Sequence, residues 1–316
     1  MGRRFVLAGN VIVDLVLDVP ALPERGGDMA ATRTERTVGG GFNTLVAVRR
    51  LGGEAAYAGL HGTGPNGDLA RAALAAEGIT VLLPARGDGD TGFTVALVDP
   101  GERTFVTGFG VEATVTDADT AAVAGRLRPD DIVDVSGYSL AQPAGGPPLA
   151  RFTAGLPAGV TVCVDPGPLV ADIPRSVLDP VLARADWLSC NDREAALLSG
   201  IQDGPAAAAS ALRERLGDGT GVLVRAGRDG CFVAPPGGEA VHVPGVPVEA
   251  VDSSGAGDAH TGVFLTLLGE GMAVRDAAWA ANAAAAWAVG RHGPATAPTR
   301  AELVGFLGVS RVPRGL

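Results

Sequence analysis

The stretch with the strongest chemical potential is "VDSSGAGDAHTGVFL", Val251 to Leu265. Gly255, Ala256 and Gly257 carry no bulky side chain, so their backbone N–H groups can converge on one point. A helix beginning at about Asp258 would add the positive end of its dipole there. Free amides plus a dipole suit the negative charge that develops on a phosphoryl group in transfer. Asp258 stands at the rim of that site, where a carboxylate is repulsive unless it has a task. Taking a proton from a hydroxyl nucleophile is such a task, and capping the helix is the plainer alternative. A second glycine turn, "GTGPNG" from Gly62 to Gly67, matches the dinucleotide pattern GxGxxG and would make the protein an NAD(P)-dependent oxidoreductase. Pro65 interrupts it, it lies outside the first β-α unit, and no clear strand-end acid follows at the usual distance, Asp88 sitting in a Gly-rich loop.

Composition narrows the chemistry. All 25 positive side chains are Arg, so every mechanism that needs a lysine is excluded, including the Walker loop and Schiff-base catalysis. Phosphate would have to be handled by amides, Arg and metal ions. A formal net charge of −10 without a basic cluster argues against nucleic acid as partner. Cys163, Cys190 and Cys231 are odd in number and scattered beside apolar residues, which reads as buried reduced thiols. No run is long enough for a membrane span or a signal peptide, so a soluble, cytoplasmic protein is expected.

The elements that must position these residues follow from the pattern. Short β-branched runs alternate with Ala-rich helical stretches from end to end. "DIVDVSG", "GVTVCVD", "ADWLSCN" and "GVLVRAG" are brief apolar runs typical of strands buried on both faces. "NTLVAVRRLG" reads as a helix closed by Gly52 and Gly53, and "GDLARAALAAEG" as a helix ending at Gly78. Repeated β-α units predict a three-layer α/β fold around a mainly parallel sheet, as one domain over residues 1–316. Two segments, about 15–38 and 91–110, look like excursions from that sheet. The second is a hairpin around Asp99-Pro100-Gly101-Glu102.

Several of these stretches together resemble the ribokinase-like (PfkB) carbohydrate kinases. "VDSSGAGDAHTG" is similar to that family's C-terminal signature, and "GGGFNTLVAVRRLGG" to its N-terminal one. "AGNVIVD", "TGFTVALVDPGERTF", "NDREAALLSG", "VRAGRDGCFV" and "ANAAAAWAVGRHG" fall in the family's order, so the likeness covers nearly the whole chain. It implies a ribokinase-like fold with a small β lid and ATP- and Mg2+-dependent phosphorylation of an alcohol.

Residue by residue, the resemblance makes Asp258 the general base and the amides of Gly255, Ala256 and Gly257 the anion hole. Asp14, Gly40 and Asn43 would bind the sugar; an acid inside "VIVDLVL" is costly unless it is paired. Asn191, Arg225, Gly227, Gly230 and Asn282 would contact the nucleotide, with Asn282 reaching adenine. Glu194 would order water around Mg2+, although Asn191 and Glu194 also read as a helix cap with an acidic first turn. Asp252 with the carbonyls of Ser254, Ala288, Arg291 and Gly293 would hold a monovalent cation such as K+. The hairpin at Glu102 and Arg103 would close over the sugar, and an apolar outer lid face would let two copies pair as a homodimer.

This sequence departs from the family pattern at Ser253, at the shortened "VGGGFN", at "GTGPNG", at "VDPGP" and at Arg225, which leaves the substrate open. A sugar kinase is expected, with a nucleoside kinase as the alternative. Aromatics make up only 4% of the chain, which leaves little for stacking a nucleobase.

Overall fold

The structure is a computed structural model that describes residues 2–99, 102–308, 313, 315 and 316. In chain order the strands are β1 (Phe5–Ala8), β2 (Val11–Asp18), β3 (Arg33–Gly40), β4 (Ala55–Tyr57), β5 (Thr80–Val81), β6 (Phe93–Asp99) and β7 (Glu102–Gly108). They continue as β8 (Ile132–Ser136), β9 (Thr161–Asp165), β10 (Trp187–Asn191), β11 (Gly221–Arg225), β12 (Cys231–Ala234) and β13 (Val241–Val243). Nine of them form one sheet in the order β13-β12-β11-β10-β9-β8-β1-β4-β5. Every pairing from β5 to β11 is parallel; β12 runs antiparallel to both its neighbours.

The continuous apolar runs have a direct structural cause. Along β1, Phe5 and Leu7 pack into one core, while Val6 and Ala8 pack into another on the opposite face. A strand covered by helices on both sides has no solvent face, so period-two alternation is lost. The Ala-rich helix Val274–Val289 lies in the first core beside the helix Ala256–Gly269.

The remaining strands form a separate four-stranded sheet, β3-β2-β6-β7, the lid. It takes in Val11–Asp18 and Arg33–Gly40, wider than the 15–38 excursion read from sequence. The β6–β7 hairpin is present, with Asp99 paired to Glu102; Pro100 and Gly101 at its expected tip lie outside the described residues. Alternation here is clear: Asp14, Val16, Thr94, Ala96, Val98, Arg103 and Phe105 face a cleft. Leu15, Leu17, Val95, Leu97 and Val106 therefore fall on the opposite face.

Candidate active site

Open α/β sheets gather ligands at the carboxyl ends of their parallel strands. Here Ser136, Asp165, Asn191 and Arg225 are the last residues of β8, β9, β10 and β11. They sit side by side through the pairs Ser136–Asp165 and Asn191–Arg225. The lid roofs this edge, enclosing a cleft of about 340 Å3, large enough for a small ligand.

Two helices meet at its floor. The first, Phe42–Arg50, follows the triple glycine, and the second is Ala256–Gly269. They cross so closely that a Cβ at Gly262 would lie 2.8 Å from the Thr44 carbonyl oxygen. That approach brings Asp258 against the first helix: its Oδ1 accepts from Thr44 Oγ1 at 3.0 Å and its Oδ2 from Asn43 Nδ2 at 3.2 Å. Asn43 Oδ1 is buried and meets no protein donor among the described residues, leaving an acceptor for a ligand.

Capping is not what Asp258 does. The helix begins at Ala256, two residues earlier than expected, and its N-cap is Gly255, with no side-chain cap bond. Only glycine fits there: φ is +69° and a Cβ would lie 1.9 Å from the Pro294 carbonyl oxygen. The first amide bonded within the helix is that of Ala259, to Gly255 O at 2.8 Å. Among the described residues the amides of Gly255 and Gly257 meet no protein acceptor, and both residues line the cleft. The Ala256 amide leans back on Ser253 O at 3.3 Å, so it is the least available of the three.

Asp14 faces this floor from the lid. Gly39, two residues along β3 from its register partner Thr37, leaves room for the carboxylate in this position: a Cβ there would sit 1.9 Å from Asp14 Oδ2. No protein donor meets the Asp14 carboxylate among the described residues. Burial first, and then the Asp258 charge, push its pKa up to about 6. Burial followed by Asp165 raises Asp258 as well, against the opposing bonds from Asn43 and Thr44. The carboxyl of Asp134, wholly enclosed beneath, is raised well above its ordinary value by burial, then by Asp165 and Asp258.

Arg225 organises the nucleotide end expected from sequence. Its Nη1 donates to Ser189 Oγ at 2.6 Å and to Thr261 Oγ1 at 3.1 Å, and its Nη2 pairs with Asp165 at 3.2 Å. Glu194 lies 3.8 Å from that nitrogen. The capping reading of Asn191 and Glu194 holds in full: each side chain accepts from the other's backbone amide, at 2.8 Å in both directions. Glu194 nevertheless lines the cleft, and burial and then Asp165 raise its pKa. A carboxylate already holding an amide on one oxygen and the Asn191 side chain on the other suits binding a metal's water shell better than direct ligation.

Three expectations change. The Asn282 amide is spent inside the protein: its Oδ1 meets His260 Nε2, and its Nδ2 donates to the Val243 and Pro244 carbonyls, all at 3.0 Å. It has no donor left for adenine. His260 is held neutral, at about 3, mainly by burial, so its Nε2–H is the donor to Asn282 Oδ1. The dinucleotide turn fails for a similar reason. The amides of Asn66 and Gly67, at the start of the helix Pro65–Ala76, are taken by Asp90 at 3.0 and 2.8 Å. That carboxylate fills the place a pyrophosphate would need.

Three of the five expected monovalent-cation groups, Asp252 and the carbonyls of Ala288 and Gly293, are also engaged. Asp252 accepts from the amides of Ser254 and Gly293 at 2.7 and 3.0 Å, and Arg103 pairs with it at 2.6 Å. Thr296 Oγ1 bonds the carbonyls of Ala288 and Gly293, and the Arg291 side chain turns away onto the Trp287 ring. Gly227 and Gly230 form the turn after β11, outside the cleft lining. Sequence reasoning missed Thr44, Asp134, Asp165 and the contacts of Arg103. The strand-final position of Asp165 in "GVTVCVD" and the acid Asp134 inside the apolar run "DIVDVSG" were the available signals.

Comparisons with known proteins give the family and the fold. The pfkB family carbohydrate kinase profile matches residues 3–300, and the chain belongs to that family. It is 34% identical over 310 residues to an uncharacterized sugar kinase, YegV, of Escherichia coli, covering 96% of this chain and 93% of that one. It is 36% identical over 312 residues to an ATP-dependent ribose-1-phosphate kinase of Halopiger xanaduensis, covering 96% and 98%. A crystal structure of ribokinase from Thermotoga maritima superposes with a TM-score of 0.81 at 25% identity, covering 97% of this chain and 99% of the other. The protein is thus a carbohydrate kinase with a ribokinase fold.

Proposed function

We propose that the protein transfers the γ-phosphoryl of ATP to a hydroxyl of an uncharged sugar. Asp258 takes the proton from that hydroxyl, while the amides of Gly255 and Gly257 hold the phosphoryl oxygens and Asp14 and Asn43 hold the sugar. The observation that carries this is the meeting, in one cleft, of a carboxylate with two acceptor-free helix-start amides. Such chemistry needs positioning and electrostatics more than covalent help. Mg2+, bound through water by Glu194, would neutralise phosphate charge. Arg225 holds Asp165 and Glu194 in register beside it.

The charge of the cleft favours a neutral substrate. Arg33 is taken up by Asp18 and Glu35, and Arg103 by Asp252, so neither offers an unpaired cation to a second phosphate. Phe105 and Tyr138 both line the cleft, which keeps nucleosides among the substrates to test. A cytoplasmic setting follows from the demand for ATP. The face carrying Leu15, Val95, Leu97 and Val106 would join two copies, which light scattering on the purified protein would report.

The test is ADP release with ATP, Mg2+ and a panel of pentoses, hexoses, keto-acid sugars, nucleosides and ribose 1-phosphate, with products identified by mass spectrometry. A neutral sugar is the expected acceptor. Preference for ribose 1-phosphate would overturn the charge argument, and no turnover with any alcohol would overturn the whole reading.

A further inference from the structure

Resting on that reading, we infer that Arg103 supplies from the lid the positive charge behind the phosphoryl pocket, so that the enzyme needs no monovalent cation. Arg103 lies on β7, on the inward face with Phe105 and Thr107. Its Nη2 reaches across the cleft to Asp252 Oδ1 at 2.6 Å, and its Nη1 donates to Ser254 Oγ. Asp252 and Ser254 lie just before Gly255, where the acceptor-free amides begin.

Asp252 and two of the carbonyls there are satisfied by the protein, while those of Ser254 and Arg291 meet no donor among the described residues. Asp252 Oδ1 also takes the Ser254 amide and Oδ2 the Gly293 amide, so the guanidinium completes a nearly saturated carboxylate. The Ala288 carbonyl takes the Arg291 amide at 3.0 Å and Thr296 Oγ1 at 3.3 Å. A hard cation would have to compete with a charged group at the carboxylate and with donors at the Ala288 and Gly293 carbonyls. The two cannot occupy Asp252 together without strong repulsion.

The arrangement has a consequence for turnover. With Arg103 withdrawn, Asp252 places an uncompensated negative charge close in sequence to the Gly255 amide that must receive a phosphoryl group. With the lid down, that charge is paired. Closing the lid and readying the anion pocket become one event, which suppresses phosphoryl transfer to water while the cleft is open. Arginine stays protonated at every working pH, so the pairing is constant where a soluble cation's would vary with its concentration.

The experiment compares the full-length protein in KCl and in choline chloride at equal ionic strength, reading initial ADP release with the acceptor found above, and melting temperature without nucleotide. The wild type should differ by less than about twofold in rate between the salts, which screen surface charge alike, and melt at the same temperature in both. Arg103→Met, which keeps the apolar stem, should lose roughly tenfold or more in choline chloride and recover part of it in KCl. Arg103→Lys should stay insensitive to the choice of salt.

Wild-type activation or stabilisation specific to K+ would overturn the inference. So would an Arg103→Met enzyme equally slow in both salts, since a merely structural latch predicts that result. A wild type inactive on every acceptor in both salts overturns the kinase reading and this inference with it. Activity that depends on K+ overturns this inference alone.

Discussion

The substitution Asp14→Asn should stabilise the protein at alkaline pH while crippling its hold on substrate. The Asp14 carboxylate stands in the cleft without a protein donor among the described residues, and burial and Asp258 together raise its pKa from 3.8 to about 6. A tenfold change in an acid's ionisation constant is worth about 1.4 kcal/mol, which sets a ceiling of about 3 kcal/mol on the cost of ionising Asp14 in the folded state. Partial exposure and solvent screening reduce that to about 1–2 kcal/mol. The sign follows from proton linkage. A raised acid binds its proton more tightly when folded, so its contribution is present below the unfolded pKa and lost as pH rises through about 6. The amide introduced by Asp14→Asn carries no charge at any pH. The gain should therefore appear in denaturant melts at about pH 8 and vanish near pH 4. The same variant should raise KM for the sugar by roughly ten- to a hundredfold through the lost charged hydrogen bonds, with KM for ATP nearly unchanged. A variant no more stable at pH 8 than the wild type, or one whose gain ignores pH, would refute the reasoning.

Other substitutions separate the parts of the account. Gly255→Ala forces a side chain onto the Pro294 carbonyl at positive φ, so melting should show a loss of at least about 1–2 kcal/mol and ADP release should fall with it. Arg225→Met removes the cation facing Asp165 and Glu194 and should raise KM for ATP, more steeply as pH falls, because the already raised Glu194 then protonates more readily. Asp131→Ala strands the buried Arg4, which it grips at 3.0 and 2.6 Å through two nitrogens. That should cost about 3–5 kcal/mol in denaturant titrations, while the rate per folded molecule stays the same, since the pair lies outside the cleft.

What the sequence disclosed was local. The continuous apolar runs ending in "VD" and "CN" were legible because strands covered on both faces are apolar on both and lose the period-two alternation. The small-residue turn before Asp258 was legible because its amides need no distant partner. Contacts set by chain crossing were not. Asp258 meets Thr44, 214 positions away, only because Gly262 lets two helices touch. Arg103 meets Asp252 only because the lid folds over the sheet edge. Asn282 looked like a ligand group because a lone amide in an Ala-rich helix needs partners; those partners are His260 and the carbonyls of Val243 and Pro244 at the end of β13. "GTGPNG" looked like a phosphate turn because its rival, Asp90, is supplied by a later loop.

The most direct test of the central chemistry is single-turnover phosphoryl transfer by Asp258→Asn, alongside ATP and sugar binding by calorimetry. Asn keeps the shape and the contact with Thr44 but accepts no proton. The account predicts a rate lower by roughly a thousandfold or more, with both affinities within a few fold of wild type. Transfer within about tenfold of the wild-type rate would contradict it, because a general base in contact with the nucleophile cannot be removed so cheaply.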